Sequence, residues 1–192
     1  MKICVFGASS TYIDKKYIDT VEEFAYTLAK RGHSLVFGAG KNGLMGAAAR
    51  GIKRGGGHIH GVIPKFFREA EVEPIYSECD ELTFTETMSE RKRIMEDDAD
   101  AFVIVPGGVG TFEEYFEVLT LKQLGRHNKA IVIFNIDGYY DELEKFMETA
   151  YERKFIYFTS GELYEIFDNG SDIIEYLENY KPVESPWWKK LQ

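Results

Sequence analysis

The sequence predicts an α/β protein of the Rossmann-like, doubly wound class, with a parallel sheet covered by helices on both faces. Short apolar runs alternate with segments whose apolar residues recur at helical spacing. This alternation is typical of repeated strand–helix units, which build parallel sheets. Residues 101–105 form a continuous apolar run of the kind found in central parallel strands.

Seven short runs are predicted to be strands, at residues 3–6, 35–37, 58–63, 81–85, 101–105, 130–134 and 163–167. Helices are predicted at residues 15–31, 44–54, 87–98, about 112–124, 139–153 and 172–179. Residues 65–80 are less regular, and we expect a loop there with a partial helix. The glycine-containing turns after Phe6, Phe37 and Val105 then fall at the carboxyl ends of strands, where such sheets bind ligands.

Composition limits what the protein can bind. The chain has 192 residues, of which 44% are hydrophobic, and a formal net charge of -9. Such an acidic protein is a poor candidate for binding duplex nucleic acid, and local donors must hold any anionic ligand. The two cysteines form no disulfide framework, and no apolar run has the length of a signal peptide or a membrane span. We therefore expect a soluble, cytoplasmic protein.

The length suits one hydrophobic core, and we expect a single Rossmann-like domain over residues 1–180. Residues 181–192 would form a C-terminal tail. Adjacent exposed tryptophans are unusual, so we expect Trp187 and Trp188 of this tail to dock on the domain or on a partner.

The turn after the fifth predicted strand has the strongest chemical signal in the chain. It reads Pro106-Gly107-Gly108-Val109-Gly110-Thr111 and leads into a predicted helix. Three glycines in four positions allow the backbone to approach a ligand without obstruction by Cβ atoms. Free N–H groups and the helix dipole favour negative charge at the start of a helix. The turn is therefore predicted to bind a phosphate group.

Glu114 follows Thr111 at the T-x-x-E spacing of a helix capping box. The spacing leaves two interpretations open: the pair caps the helix, or Glu114 supplies a functional carboxylate. The two are compatible, because either places the carboxylate at the mouth of the phosphate site.

A second polar cluster, Thr87 to Arg93, reads Thr-Met-Ser-Glu-Arg-Lys-Arg. Thr87 and Glu90 have the spacing of another capping box, which would put three basic residues near the first turn of a helix. Cations there oppose the helix dipole unless an anionic ligand compensates. The alternative is a solvated basic face paired with nearby acidic residues. We favour that alternative for Arg93 and leave both open for Arg91 and Lys92.

Two further patterns have ordinary explanations. Residues 38–43 match G-x-G-x-x-G, but no acidic residue ends the next strand to hold a ribose, so we interpret them as a tight turn lining the nucleotide cleft. His58 and His60 share one strand face without a third ligand at convincing spacing, so no metal site is predicted.

The segment PGGVGTFEE, from Pro106 to Glu114, matches the PGGxGTxxE motif of the LONELY GUY (LOG) family. The chain resembles that family over nearly its whole length, with further matches at residues 43–46, 61–64, 88–92, 123–125 and 137–140. Two positions depart from the family pattern. Ser89 stands where the family has histidine, and Ala39 stands for the middle glycine of three. These departures concern the base of the substrate more than the reaction.

LOG proteins are cytokinin riboside 5′-monophosphate phosphoribohydrolases. The resemblance therefore implies hydrolysis of the N-glycosidic bond of a nucleoside 5′-monophosphate, AMP or N6-substituted AMP, to free base and ribose 5-phosphate. Arg91 and Glu114 match the family's catalytic pair. The residues expected to bind substrate are Ser9, Met88, Lys92, Gly107, Gly108, Val109, Gly110, Thr111 and Glu113. The resemblance also implies a homodimer and no cofactor or metal.

The residues suit this chemistry. Glycosidic cleavage develops positive charge at the sugar, which a carboxylate such as Glu114 can stabilise while it orients water. Arg91 can hold sugar or phosphate oxygens with its planar fork. Two rival hypotheses stay open: a nucleotide-binding module without turnover, and a pyridoxal-phosphate amino-acid decarboxylase, for which no lysine stands out as the Schiff-base partner.

Overall fold

The computed structural model describes residues 1–69 and 74–182. The strands within those ranges are β1 (Lys2–Phe6), β2 (Ser34–Phe37), β3 (Ile59–Pro64), β4 (Glu81–Thr85), β5 (Ala101–Ile104), β6 (Ala130–Phe134) and β7 (Glu165–Phe167). The helices are α1 (Lys15–Lys30), α2 (Gly43–Gly55), α3 (Lys65–Glu69), α4 (Met88–Asp98), α5 (Val109–Gln123), α6 (Asp141–Glu152) and α7 (Gly170–Asn179). A 3₁₀ turn (Ile136–Gly138) follows β6.

The strands form one sheet in the order β4-β3-β2-β1-β5-β6-β7, and every pair is parallel. The chain proceeds outward from β1 to β4 and then returns to place β5 on the other side of β1. This reversal opens a crevice between the carboxyl ends of β1 and β5, where doubly wound sheets bind ligands. The Ala8 N–H donates to the Pro106 carbonyl there at 3.1 Å. The predicted fold class is confirmed.

Helices bury both faces of the sheet, which explains why its central strands are apolar throughout. Side chains alternate along β1, so that Ile3 and Val5 pack with α1, α2 and α7. Cys4 and Phe6 face the other way and pack with α4, α5 and α6. Phe6 stacks on Phe102 of β5 with ring centroids 6.0 Å apart. The carboxyl ends of β1 and β5 are therefore held rigidly below the crevice.

The predicted elements are present, and one boundary differs in a way that matters for function. α5 begins at Val109 rather than near residue 112, because Gly108 is its N-cap. The partial helix expected within residues 65–80 is α3. Residues 70–73 and most of the predicted tail, with Trp187 and Trp188, lie outside the described residues. In the part of the chain that is described, no helix is both long enough and apolar enough to cross a bilayer.

Candidate active site

The loop from β5 into α5 leaves backbone donors free. Gly108, the N-cap of α5, has no side chain that could accept a hydrogen bond. Among the described residues, no acceptor lies within hydrogen-bond reach of the N–H groups of residues 108–111. The positive end of the helix dipole lies at the same place. This arrangement can hold an anion such as a phosphate group.

The glycines of this loop lack side chains for different reasons. A Cβ atom on Gly107 would overlap the side chain of Thr111, so the fold itself requires glycine there. A Cβ atom on Gly108 or Gly110 would meet nothing within 4 Å. Gly108 also has a φ of -99°, which any residue can adopt. The fold does not need glycine at positions 108 and 110, and their effect is to keep the space in front of the helix open.

The capping-box hypothesis for Thr111 and Glu114 is wrong. Because α5 begins at Val109, Thr111 lies inside the first turn, and no side chain caps the helix. The Glu114 carboxylate instead meets Arg91 of α4, with 3.4 Å between Oε1 and Nη1. Helix capping therefore no longer explains a glutamate at position 114.

The other proposed cap exists. The Thr87 Oγ1 accepts a hydrogen bond from the Glu90 N–H at 3.1 Å and so starts α4. The Glu90 carboxylate accepts from the Glu86 N–H rather than from that of Thr87. With the start of α4 fixed in this way, Arg91 comes one turn later, on the buried side of the helix.

Arg91 and Glu114 form a buried ion pair, with 5% of Arg91 and 9% of Glu114 exposed. The Arg91 Nε also donates to the Val62 carbonyl at 3.2 Å, so the guanidinium is held between β3 and α5. Burial raises the pKa of Glu114 to about 7, although the Arg91 charge acts in the opposite direction. The carboxyl group can thus be ionised or protonated near neutral pH, as acid–base chemistry requires.

Arg91 fits in this position because Gly38 has no side chain. A Cβ atom on Gly38, just after β2, would overlap the Arg91 Nη2 atom and lie 2.9 Å from Cζ. The turn at residues 38–43 therefore affects the cleft by leaving space for the Arg91 side chain. The turn does not itself line the cleft, contrary to our interpretation from the sequence. Ala39 has a φ of 59°, a left-handed conformation that glycine adopts at lower cost.

Lys92 is engaged by carboxylates. It forms ion pairs with Glu113 and Glu117, with 2.5 Å to the Glu117 Oε2. Burial acts to lower the pKa of Lys92, but the two glutamates outweigh that effect and the net shift is upward. Arg93 pairs with Asp97 on the exposed surface, as we favoured from the sequence.

The start of α5 and the Arg91–Glu114 pair border one cleft of about 380 Å³ at the carboxyl edge of the sheet. Most of the predicted site residues line it: Ser9, Met88, Arg91, Gly108, Gly110, Thr111, Glu113 and Glu114. Three predicted site residues do not line it. Gly107 borders a neighbouring cavity, Val109 is 83% exposed, and the Lys92 ammonium group forms ion pairs with glutamates. Met45 and Phe67 also line the cleft. The sequence did not single them out, because apolar helix residues look like core residues.

The fold and the cleft define a class of protein: a Rossmann-like α/β protein with an open helix start beside a buried arginine–glutamate pair. A sequence model of the family described as possible lysine decarboxylase matches residues 45–177. The cytokinin riboside 5′-monophosphate phosphoribohydrolase LOG2 of Arabidopsis thaliana is 36% identical over 190 residues, 99% of this chain and 88% of that protein. The probable cytokinin riboside 5′-monophosphate phosphoribohydrolase LOGL2 of Oryza sativa subsp. japonica is 37% identical over 191 residues, 100% of this chain and 78% of that protein. The chain belongs to the LOG family.

Solved structures share the fold. The molybdenum cofactor carrier protein of Chlamydomonas reinhardtii matches with a TM-score of 0.71 and 22% identity, covering 92% of this chain and 95% of that one. The molybdenum cofactor binding protein of Rippkaea orientalis matches with a TM-score of 0.69 and 19% identity, covering 92% and 94%. At this level of identity the likeness concerns the fold alone.

A methyl group at position 38 should displace Arg91. We expect Gly38→Ala to raise the Kd for anions and nucleotides about tenfold or more, because the guanidinium is displaced from its position between Val62 and Glu114. Binding of AMP by calorimetry measures this effect. In an Arg91→Ala background the same methyl group should add little, since its target is gone. Additive losses in the double variant would contradict the link between Gly38 and Arg91.

The raised pKa of Glu114 predicts a pH dependence of stability. The folded protein holds this proton up to about pH 7, whereas the unfolded chain releases it near pH 4.3. The contribution of Glu114 to the free energy of unfolding is therefore fully present below about pH 4.3, the pKa in the unfolded chain, and is lost as the pH rises to about 7.

We expect Glu114→Gln, which does not titrate, to gain stability relative to the parent between pH 5 and pH 8, by up to roughly 3 kcal/mol. Urea denaturation at several pH values measures the difference. Burial also raises the pKa of Glu96 to about 7. Because Glu96 is present in both proteins, its pH-dependent contribution to stability cancels in the difference between them. If the free energy of unfolding varied with pH in the same way in both proteins, Glu114 would not be a source of the pH dependence.

Proposed function

We propose that this protein hydrolyses the N-glycosidic bond of a nucleoside 5′-monophosphate, releasing the base and ribose 5-phosphate. The observation that carries the proposal is the buried Arg91–Glu114 pair in the same cleft as the open start of α5. The names of the LOG relatives support the same reaction. We propose AMP or an N6-substituted AMP as the substrate.

The phosphate group would bind at the N–H groups of residues 108–111, with Ser9 across the cleft. Glu114 follows Thr111 by three residues along α5, about 4.5 Å along the helix axis. A nucleotide anchored by its phosphate would thus bring its sugar towards the carboxylate. Phosphate binding energy then positions the bond to be broken.

In the reaction, the C1′–N bond breaks as positive charge develops at the sugar. The Glu114 carboxylate would stabilise that charge and accept a proton from the attacking water. The hydroxyl group of water adds to C1′, and a proton goes to the departing base nitrogen. Arg91 would hold the ionised carboxylate and the sugar oxygens in place.

The structure bears on both rival hypotheses. In a binding module without turnover, Glu114 was expected only to cap its helix, but Glu114 does not cap α5. A pyridoxal-phosphate decarboxylase requires a lysine that can lose its proton. Lys92 lies beside the cleft, but Glu113 and Glu117 raise its pKa. Lys122 is buried, with its pKa lowered to about 8 by burial, but it lies near the opposite end of α5.

We also propose a cytoplasmic homodimer. Cys4 and Cys79 are both free thiols, which fits a reducing compartment. Tyr115 and Tyr140 are core residues, each 1% exposed, so they lie outside any dimer surface. Support comes instead from Phe146 and Phe155, which are 65% and 80% exposed and which a partner subunit could cover.

The phosphate should dominate recognition. We expect AMP to bind or react far better than adenosine, because the free N–H groups of the loop contact only a phosphorylated ligand. Gly108→Val should weaken this preference, since its side chain would enter the open space before α5 without straining the fold. Paired measurements of kcat/KM for AMP and adenosine test both points. Equal kinetics for the two substrates would show that the loop is not the phosphate anchor.

The charge of Glu114 should be essential for turnover. We expect Glu114→Gln to lower kcat by about 100-fold or more while nucleotide binding and the fold survive. Arg91→Lys should also be costly, because an ammonium group lacks the planar fork. In the parent, kcat/KM should rise with pH through about 7 as the free enzyme's Glu114 ionises. Near-parental turnover by Glu114→Gln would remove Glu114 from the chemistry.

The oligomeric state is directly measurable. We expect light scattering at micromolar concentration to give about twice the 22.0 kDa of one chain. Phe155→Ser should weaken association if this exposed ring is covered in the dimer. A single species of 22.0 kDa would refute the dimer.

A further inference from the structure

Two neighbouring tyrosines hold the phosphate-binding loop from outside the cleft. The Tyr139 hydroxyl donates to the Gly107 carbonyl at 2.7 Å. The Tyr140 hydroxyl donates to the Val105 carbonyl at 2.9 Å. Both tyrosines come from the turn after β6, so a separate element fixes two carbonyl groups at the point where β5 passes into the loop.

The hydrogen bond to Gly107 sets the direction of the following peptide. The described chain has no cis peptide bonds, and in a trans peptide the C=O and the next N–H point in opposite directions. Tyr139 and Gly107 border a cavity of about 260 Å³. Arg91 lines the neighbouring cleft, and Gly108 borders both spaces. With the Gly107 carbonyl turned towards Tyr139, the Gly108 N–H is turned away from Tyr139, which leaves it available to the cleft that Gly108 also borders.

The loop needs such a restraint because this peptide joins two glycines. Glycine populates a wider range of backbone angles than any other residue, so the peptide between Gly107 and Gly108 can rotate. A rotated peptide would present a carbonyl oxygen to the cleft in place of a donor. That oxygen would repel a phosphate group, since both are hydrogen-bond acceptors.

The turn that carries the tyrosines is firmly held. Asn135 is buried, and its Oδ1 accepts from the Tyr140 N–H at 2.7 Å. The Asn135 Nδ2 donates to Asp141 at 2.8 Å. The Tyr139 ring packs edge-on against Tyr17, with 6.4 Å between ring centroids. The turn can therefore impose its geometry on the more flexible glycine loop.

We propose that Tyr139 is a positioning residue for substrate: its hydroxyl keeps the Gly107–Gly108 peptide in the orientation that directs the Gly108 N–H at the 5′-phosphate. The role rests on the proposed function, since it presumes that the cleft binds a phosphorylated sugar. Tyr140 supports it by holding the end of β5.

The test is Tyr139→Phe, which removes one oxygen atom from a half-exposed side chain and keeps the ring. We expect the Kd for ribose 5-phosphate, measured by calorimetry, and the KM for AMP to rise about 3- to 10-fold, the size of one hydrogen bond. The kcat at saturation, the melting temperature and the Kd for adenosine should not change. Tyr17→Phe is the matched control, because Tyr17 lines the same cavity and its hydroxyl interacts with Asp137 rather than with the loop.

An unchanged Kd for ribose 5-phosphate in Tyr139→Phe would overturn the positioning role. An equal loss of affinity for adenosine would also overturn it, since that result indicates general damage to the cleft. Wild-type protein without measurable affinity for ribose 5-phosphate would do the same. If only the proposed function fails, wild-type protein binds ribose 5-phosphate but releases no base from any nucleoside monophosphate. The comparison of the Kd for ribose 5-phosphate between wild-type protein and Tyr139→Phe then still tests the role of Tyr139.

Discussion

The N–H groups of residues 108–111 at the start of α5 have no protein acceptor in the described part of the chain, and the carboxyl edge of the sheet leaves them open to solvent or a ligand. Unpaired N–H groups are costly unless solvent or a ligand reaches them. Gly108 and Gly110 keep that access open, because no side chain stands in front of the helix. The reversal of strand order between β1 and β5 supplies the crevice into which the groups open.

A negative charge beside this anion cradle creates an electrostatic conflict, and burial moderates it. An ionised Glu114 would repel a phosphate nearby, although the Arg91 guanidinium offsets part of that repulsion. Burial raises the pKa of Glu114 to about 7, so a fraction of the carboxyl groups is neutral when the ligand arrives. The same burial makes the group a stronger base once it is ionised. Under the proposed mechanism, the site would gain reactivity from an arrangement that costs the fold stability.

The sheet and its flanking helices could be predicted from local patterns, whereas most residues of the cleft came from the resemblance to the LOG family together with the glycine-rich turn. Apolar runs mark the strands, and the glycine-rich turn after Val105 marks the loop. The start of α5 was placed too late, because the T-x-x-E spacing imitates a cap whereas Gly108 begins the helix without any side chain. No local pattern could link Gly38 to Arg91, since the two meet only when β2 lies beside β3 and α4 packs against the sheet.

The fold alone does not determine what such a protein does, since molybdenum cofactor carriers share it at about one-fifth sequence identity. The proposed reaction depends on a few contacts, and these do not involve position 89, where the family has histidine. Ser89 is exposed near the start of α4. Arg91 is held by Val62, Glu114 and the space above Gly38, none of which involves residue 89. The departure at position 89 therefore leaves the arginine–glutamate pair in place.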